Sequence, residues 1–437
     1  MNILGKLSLA MTALFFVLGF FNVLAAQEYI LEELGTIPDA YLINSRGINE
    51  SGDMVGHTLV TGQYKIFRYT EGNGIEVLGV PPGHSTADAW DINNFGMIAG
   101  SGANFPYYYS DDDGWVNLGS LGGAEGVAYA VNDSGQITGY SNVGGSLTAH
   151  TFLYDIRDPQ PQITDLMPSI GYSQGRDINN SGQIAGYMYT SSYRAFRWQD
   201  GQLEDLGTIS GMPHSYGFAI NDSGQVAAYA SSATGNSTRI IRYTDGVGWE
   251  QLGGVGEDNI AWGINNRGDV VGRGSAAGEI AHAFLYTDEN GFQDLNDLID
   301  PNSVWFLLYA FDINDNRQIA VIGSNGSDDP QVIRLTPATT SIETGVDLLP
   351  DVVSVGQNYP NPFNARTTIG FNLNEEADVE ITVYDILGRS IETLVNKEMS
   401  AGEHKIVWNA ENQKSGVYFY RIKSGNFDKT LRMTLIK

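Results

Sequence analysis

The chain has 437 residues, no cysteine, 53 glycines, and 51 acidic against 24 basic side chains. Without a thiol it can form no disulfide, carry no lipid on cysteine and use no cysteine nucleophile, so its stability must come from burial. Residues 351–437 hold 10 basic and 11 acidic residues, leaving 14 basic and 40 acidic for residues 1–350; so anionic a surface repels phosphate backbones and acidic headgroups, which makes nucleic acid and membranes poor partners and leaves cations and neutral glycans or peptides.

The chain opens with Lys6, an apolar run from Leu7 to Leu24, and Ala25-Ala26. This pattern predicts a secretory signal over residues 1–26, cleaved after the small residues at Ala25 and Ala26. An uncleaved anchor competes with that reading, because about 18 apolar residues approach the thickness of a bilayer.

From residue 48 to 317 one phrase recurs seven times at intervals of 39 to 49 residues: Ile48-Asn49-Glu50-Ser51-Gly52, Ile92-Asn93-Asn94-Phe95-Gly96, Val131-Asn132-Asp133-Ser134-Gly135, Ile178-Asn179-Asn180-Ser181-Gly182, Ile220-Asn221-Asp222-Ser223-Gly224, Ile264-Asn265-Asn266-Arg267-Gly268 and Ile313-Asn314-Asp315-Asn316-Arg317. A fixed period in this range marks propellers, solenoids and arrays, which as a rule bind rather than react. Asn and Asp tolerate left-handed backbone and bond their own main chain, and Gly supplies positive φ, so each phrase reads as strand, turn, strand. A second turn per unit, such as Thr244-Asp245-Gly246, adds two more antiparallel strands. Four strands in about 40 to 45 residues fit a propeller blade.

The phase of the repeats carries a separate expectation. A fourth-strand segment, Tyr29 to Gly35, precedes any first strand, while the seventh unit stops after its third strand, Val332 to Leu335. The leading strand is therefore predicted to complete the last sheet, closing the ring and removing an exposed edge. Three residues before each Ile or Val stand small residues (Ser45, Ala89, Ala128, Gly175, Gly217, Ala261, Ala310), as crowding near an axis would demand. Two before it stand Arg46, Trp90, Tyr129, Arg176, Phe218, Trp262 and Phe311, which alternation sends to the opposite face, between blades.

Residues 28–336 resemble the extracellular repeat family named for a His-Ala-Phe motif, through His282-Ala283-Phe284-Leu285-Tyr286, the partial His150-Thr151-Phe152-Leu153-Tyr154 and Ala195-Phe196-Arg197-Trp198, and Leu118-Gly119-Ser120-Leu121-Gly122-Gly123. The resemblance implies a secreted repeat protein of no established activity, which leaves function open. After a Thr-, Ser- and Pro-rich linker, Asn358-Tyr359-Pro360-Asn361-Pro362-Phe363-Asn364, the Gly388-Arg389 turn and the Gly416-Val417-Tyr418 strand resemble the type A sorting domain of the type IX secretion system. That resemblance implies export across an outer membrane, contact with the secretion machinery, and removal of the domain after export. Alternation in Val379, Ile381 and Val383 and about seven short strands suggest a small sandwich. The expected fold class is thus all-β, a seven-bladed β-propeller over residues 27–336, a linker over 337–350 and a small Ig-like β-sandwich over 351–437.

Candidate sites are sparse. The six histidines show no metal-ligand spacing, and no catalysis is expected. Asp91, Asp177 and Asp312 precede the Ile of three repeats and could converge on a cation such as Ca2+ if that strand lines the axis, or bond backbone N–H groups locally. Asp177 to Met188 lacks the closing Glu of a calcium loop. The seven Asn residues read as turn caps. Tyr107, Tyr108, Tyr109, Tyr189 and Tyr193, placed in or beside variable connections, are candidates to stack on sugars. The expected function is a monomeric secreted or surface module, non-catalytic, for binding or adhesion to an extracellular glycan or protein; the alternatives are a glycan-cleaving enzyme with carboxylates at the mouth of the ring, or a purely structural surface component.

Overall fold

The computed structural model describes residues 28–35, 37–275, 279–326, 331–338, 353–355, 358, 363–373, 376–385, 389–424 and 427–435. The expected cleavage residues Ala25 and Ala26, the linker, and Tyr359, Pro360, Asn361, Pro362 and Gly388 lie outside them or largely so. The chain divides into two compact units, residues 1–340 and 341–437.

Among the described residues, the first unit consists of seven four-stranded antiparallel sheets. Six are consecutive runs of four strands, the first being Ala40–Ile48, Met54–Val60, Gln63–Thr70 and Gly74–Gly79. The seventh takes Phe306–Ile313, Ile319–Ser324 and Gln331–Pro337 from the end of the unit and Tyr29–Glu33 from its beginning. Leu31 stands opposite Leu335 and Glu32 opposite Arg334, so the predicted pairing of the two chain ends is present. Its physical reason is the edge: Val332, Ile333 and Leu335 are buried, and the borrowed strand satisfies backbone groups that would otherwise face outward.

Each sheet forms for the local reason the phrase supplies. The Asn Oδ1 accepts from the main-chain N–H groups two and four residues on, as Asn179 does from Ser181 at 3.1 Å and Gln183 at 2.9 Å. The turn glycines of the first six repeats sit at φ between 75° and 83°; in the seventh Arg317 adopts φ 59° and bonds Asp269 at 2.8 Å through its side chain. Sheets pack face to face through Ile, Val and Phe of the second and third strands. Phe67, Phe152, Phe196 and Phe284 are fully buried, each worth roughly 1.5–3 kcal/mol of apolar burial. One such cluster joins Met54 and Phe67 of the first sheet to Ala320, Ile322 and Val332 of the last, so the array closes on itself in a propeller-like ring.

Across most joints a third-strand arginine reaches its neighbour. Arg68, Arg197, Arg242 and Arg334 each bind a carboxylate of their own sheet and one from the next: Glu76 and Asp111, Glu204 and Asp245, Glu250 and Asp288, Glu32 and Glu71.

The second unit has a three-stranded antiparallel sheet (Val353–Val355, Arg366–Leu373, Gly402–Asn409) and a four-stranded one (Ala377–Asp385, Ser390–Met399, Gly416–Ser424, Phe427–Leu435). They share one core that includes Phe371, Ile381, Trp408, Tyr420 and Met433. Among the described residues of the whole chain no helix is long and apolar enough to cross a membrane.

Candidate functional site

The first strand of every sheet lines the axis, and every one carries a register shift that skips the same residue: Arg46, Trp90, Tyr129, Arg176, Phe218, Trp262 or Phe311. A bulge leaves its extra residue unpaired and re-aims the side chain. All seven point into one axial cavity of about 120 Å³. The expectation that these large residues pack between blades, with the small ones at the axis, is therefore reversed. Ser45, Ala89, Ala128, Ala261 and Ala310 are fully buried, and a Cβ added at Gly217 would lie 2.7 Å from the Gly186 carbonyl of the adjacent sheet. Plain alternation misassigns the faces because the bulge is invisible in it.

Arg46 lies between Trp90 and Phe311, its guanidinium carbon 4.6 Å from each ring centre. Arg176 lies over Tyr129 at 3.8 Å and Phe218 at 4.6 Å. Trp262 stacks on Phe311 at 4.7 Å. Burial, followed by the charge of Arg176, lowers Arg46 to about 10, which leaves it protonated at neutral pH.

Asp91, Asp177 and Asp312 line the same cavity, so the structure brings the three predicted carboxylates together. Each binds its following N–H through one oxygen and a first-strand N–H of the next sheet through the other: Asp91 to Val131 at 2.9 Å, Asp177 to Ile220 at 2.7 Å, Asp312 to Ile48 at 3.0 Å. They are struts between sheets. Burial, opposed by those N–H donors, pushes Asp91 up to about 6; burial and the nearby Asp91 push Asp177 up to about 7, and burial followed by Asp91 raises Asp312 well above the ordinary range. Among the described residues no group of three His, Asp or Glu side chains is placed to hold a metal ion.

On the turn face a second hollow of about 160 Å³ is ringed by the repeated phrases. The Asn caps do more here than hold their own turns. Each Nδ2 donates to the main-chain carbonyl of the next Asn, from Asn49 to Asn93 at 3.2 Å around to Asn314, which closes on Asn49 at 2.9 Å. Outside this circle runs another: the side chains of Asn94, Asp133, Asn180, Asp222, Asn266, Asp315 and Glu50 each accept from the main-chain N–H one repeat back. The repeated Asn-Asn and Asn-Asp pairs are the sequence signal for it, readable only once the repeats are laid side by side around a ring.

Tyr107 and Tyr108 correct the expectation of exposed loop aromatics. They lie with Tyr109 in the strand Phe105–Ser110, are 5% and 7% exposed, and are held by His84 and Asn117, and by Asp113. Tyr109 is half-buried against Trp115. Tyr189 and Tyr193 are brought together at the tip of a hairpin, 5.1 Å apart, with Tyr189 exposed. Tyr193 continues through Tyr216 at 5.0 Å to Tyr229, which contacts the cavity residue Phe218 at 5.7 Å. His150 and His282, at one repeat position, bond the equivalent Asp165 and Asp294.

In the second unit the described motif residues are structural. Asn358 is buried and donates to Thr367 at 2.8 Å, and Phe363 packs on Trp408 at 5.6 Å. Tyr418 also packs on that indole, at 5.3 Å, and donates to the Lys414 carbonyl. Asn364, Arg389 and Gly416 lie at the surface. Residues 357–437 match the family described as the secretion system C-terminal sorting domain. This segment is thus similar to a type IX sorting domain. It marks the protein as exported, to the cell surface or beyond, and implies contact between the sorting domain and the type IX machinery.

No curated protein sequence matches the chain. Similar solved structures include PorZ, a surface component of the type IX system of Porphyromonas gingivalis (15% identity, TM-score 0.30, covering 91% of this chain and 51% of that one). A puromycin-hydrolyzing peptidase of Mycobacterium tuberculosis (12%, 0.49, 76% and 58%) and TolB of Acinetobacter baumannii (13%, 0.37, 71% and 80%) are also similar. The match thus spans about half the length of PorZ and under two thirds of the peptidase.

Proposed function

We propose that the protein is a type IX cargo whose first unit, residues 27–336, is a closed seven-bladed β-propeller of the His-Ala-Phe repeat type acting as a non-catalytic binding module. A signal over residues 1–26, a linker over 337–350 and an Ig-like sorting sandwich over 351–437 complete the arrangement. The observation that carries the binding reading is the axial cavity: seven bulges aim two guanidiniums and five aromatic rings into one space. That is the mixture of apolar walls and a few fixed polar groups expected of a ligand site.

The raised carboxylates of Asp91 and Asp177 favour a second reading, a glycan-cleaving enzyme, since such chemistry uses an acid held protonated near neutral pH. Against it, both oxygens of each are engaged by main-chain N–H groups. Screening the exported protein against a saccharide and peptide array, with release of reducing sugar followed in parallel, separates the two. Saturable binding without turnover supports the module; turnover abolished by Asp177→Asn establishes the enzyme. Deleting residues 357–437 should leave the protein inside the outer membrane.

A further inference from the structure

The two arginines of the axial cavity differ in their surroundings from the arginines that join neighbouring sheets. The chain has more than twice as many acidic as basic residues, and Arg68, Arg197, Arg242 and Arg334 each hold two carboxylates. Arg46 and Arg176 hold none among the described residues; the Nε of each is buried without a hydrogen-bond partner, as are Trp90 Nε1 and the Nε of Arg68 and Arg242, but the terminal nitrogens of Arg68 and Arg242 bind carboxylates and those of Arg46 and Arg176 do not. A guanidinium has five N–H donors and stays charged at neutral pH, and a buried donor without an acceptor is destabilising.

The carboxylates that line the cavity do not compensate, because Asp91, Asp177 and Asp312 spend both oxygens on main-chain N–H groups; Asp88, whose charge acts on Arg46, stands outside that lining, 3.3 Å from His57. Meanwhile aromatic rings hold the guanidinium carbons over their centres: Trp90 and Phe311 for Arg46, Tyr129 and Phe218 for Arg176. A ring attracts the cation without taking up all of its N–H donors, which leaves donors to bond something else. Two like charges, close enough that Arg176 depresses the ionisation of Arg46, are both relieved by one anion between or beside them.

The group that matches is a planar oxyanion, for which the guanidinium fork supplies two parallel N–H···O bonds, attached to a body with apolar faces for the Trp and Phe rings. We propose that the axial cavity binds a carboxylate-bearing sugar residue, a uronic acid, at the end of an extracellular polysaccharide, with Arg46 and Arg176 gripping the carboxylate. This rests on the binding-module reading. It departs from the neutral or cationic partner suggested by the overall charge, because net charge describes the outer surface and these two cations are set inside it.

The test is calorimetric titration of the exported protein with glucuronate, galacturonate and short oligouronides, each set against its methyl ester and its neutral parent sugar. The acids should bind at least about tenfold more tightly than the esters, and Arg176→Gln and Arg46→Gln should each lose that preference at unchanged Tm. The acid-against-ester comparison needs no variant, so it decides the matter even where a substitution fails to fold. Equal affinity for acid and ester, or binding of a neutral sugar alone, overturns the proposal and leaves the binding module standing. Preference for a peptide with a free C-terminal carboxylate over its amide, without uronate binding, overturns the saccharide assignment. No saccharide binding of any kind overturns it too, and turnover of the saccharide overturns the module instead.

Discussion

Arg334 donates to Glu71 at 2.6 Å although 263 residues of chain separate them. The same guanidinium binds Glu32 of the borrowed strand at 2.7 Å and the Gly52 carbonyl of the first sheet at 3.1 Å. One side chain thus ties together the beginning of the unit, its first sheet and its end.

The three partners of that arginine predict an asymmetric response. Arg334→Ala removes charge-assisted bonds from a buried donor and should cost about 1.5–3 kcal/mol. Glu71→Ala removes an exposed partner whose loss water largely makes good, so its effect should be far smaller. Urea unfolding of both variants measures the difference; equal losses would contradict a clamp centred on Arg334.

Starting the chain at residue 38 should expose the edge of Gln331–Pro337, and buried Tyr29 would go with it. Open edges pair with whatever strand is available. The shortened protein should elute as dimers and larger species in size-exclusion chromatography, where the form beginning at residue 27 elutes as a single small species.

The Asn circle predicts a penalty specific to the amide. Asn179→Asp keeps the turn-capping oxygen but turns a carboxylate toward the Asn221 carbonyl, which now accepts at 2.9 Å. The loss should be about 2–4 kcal/mol, and Asn179→Ala about 1–3, by denaturant unfolding. An aspartate variant as stable as the wild type would leave the Nδ2 bond without energetic weight.

Stability should fall as the pH rises toward neutrality. Burial pushes Glu50 up to about 7, with its Asp315 N–H bond opposing and the charges of Asp315, Asp133 and Asp222 adding to the rise; Asp91 and Asp177 are raised to about 6 and 7. Unfolded carboxylates titrate near about 4, so over the interval between that value and about 7 the folded protein holds more protons than the unfolded chain and loses stability with each step upward. Glu50→Gln retains the acceptor for Asp315 and should show a shallower fall in Tm between about pH 5 and about pH 8. An identical slope would remove Glu50 from the account.

In the sorting domain, Trp408→Ala empties the space between Phe363 and Tyr418 and should cost about 3–5 kcal/mol. Retention of the protein inside the outer membrane, read by cell fractionation, is the expected outcome.

What could be read from the residues was whatever each repeat does by itself. The Asn-Asp-Ser-Gly turn acts within five residues, so strand positions, sheet number and the pairing of Tyr29–Glu33 with the last sheet followed from local chemistry and phase. What joins one sheet to the next was hidden. The bulges at Trp90 or Phe218 leave no mark in a period of two, so the cavity lining was placed on the wrong face. Asn Nδ2 bonds, like the second oxygens of Asp91 and Asp177, reach partners some 40 residues away that no single repeat contains, and that of Asp312 reaches back 264 residues to Ile48. Tyr107 and Tyr108 looked available only because their partners His84 and Asp113 belong to neighbouring turns.

The outer circle of turn side chains alternates acid and amide, Glu50, Asn94, Asp133, Asn180, Asp222, Asn266, Asp315, and then meets Glu50 again. An odd number of members cannot alternate without one fault, and here two acids stand side by side where the ends of the array meet. The longer Glu at that place, reaching Asp315 N–H with both oxygens at 3.1 and 3.2 Å, is the local adjustment to a parity mismatch. Only the loss of an acidic unit at the seam, or the gain of an amide unit there, would abolish the fault, which makes the Glu50 seam a mark of the odd number of units in the circle.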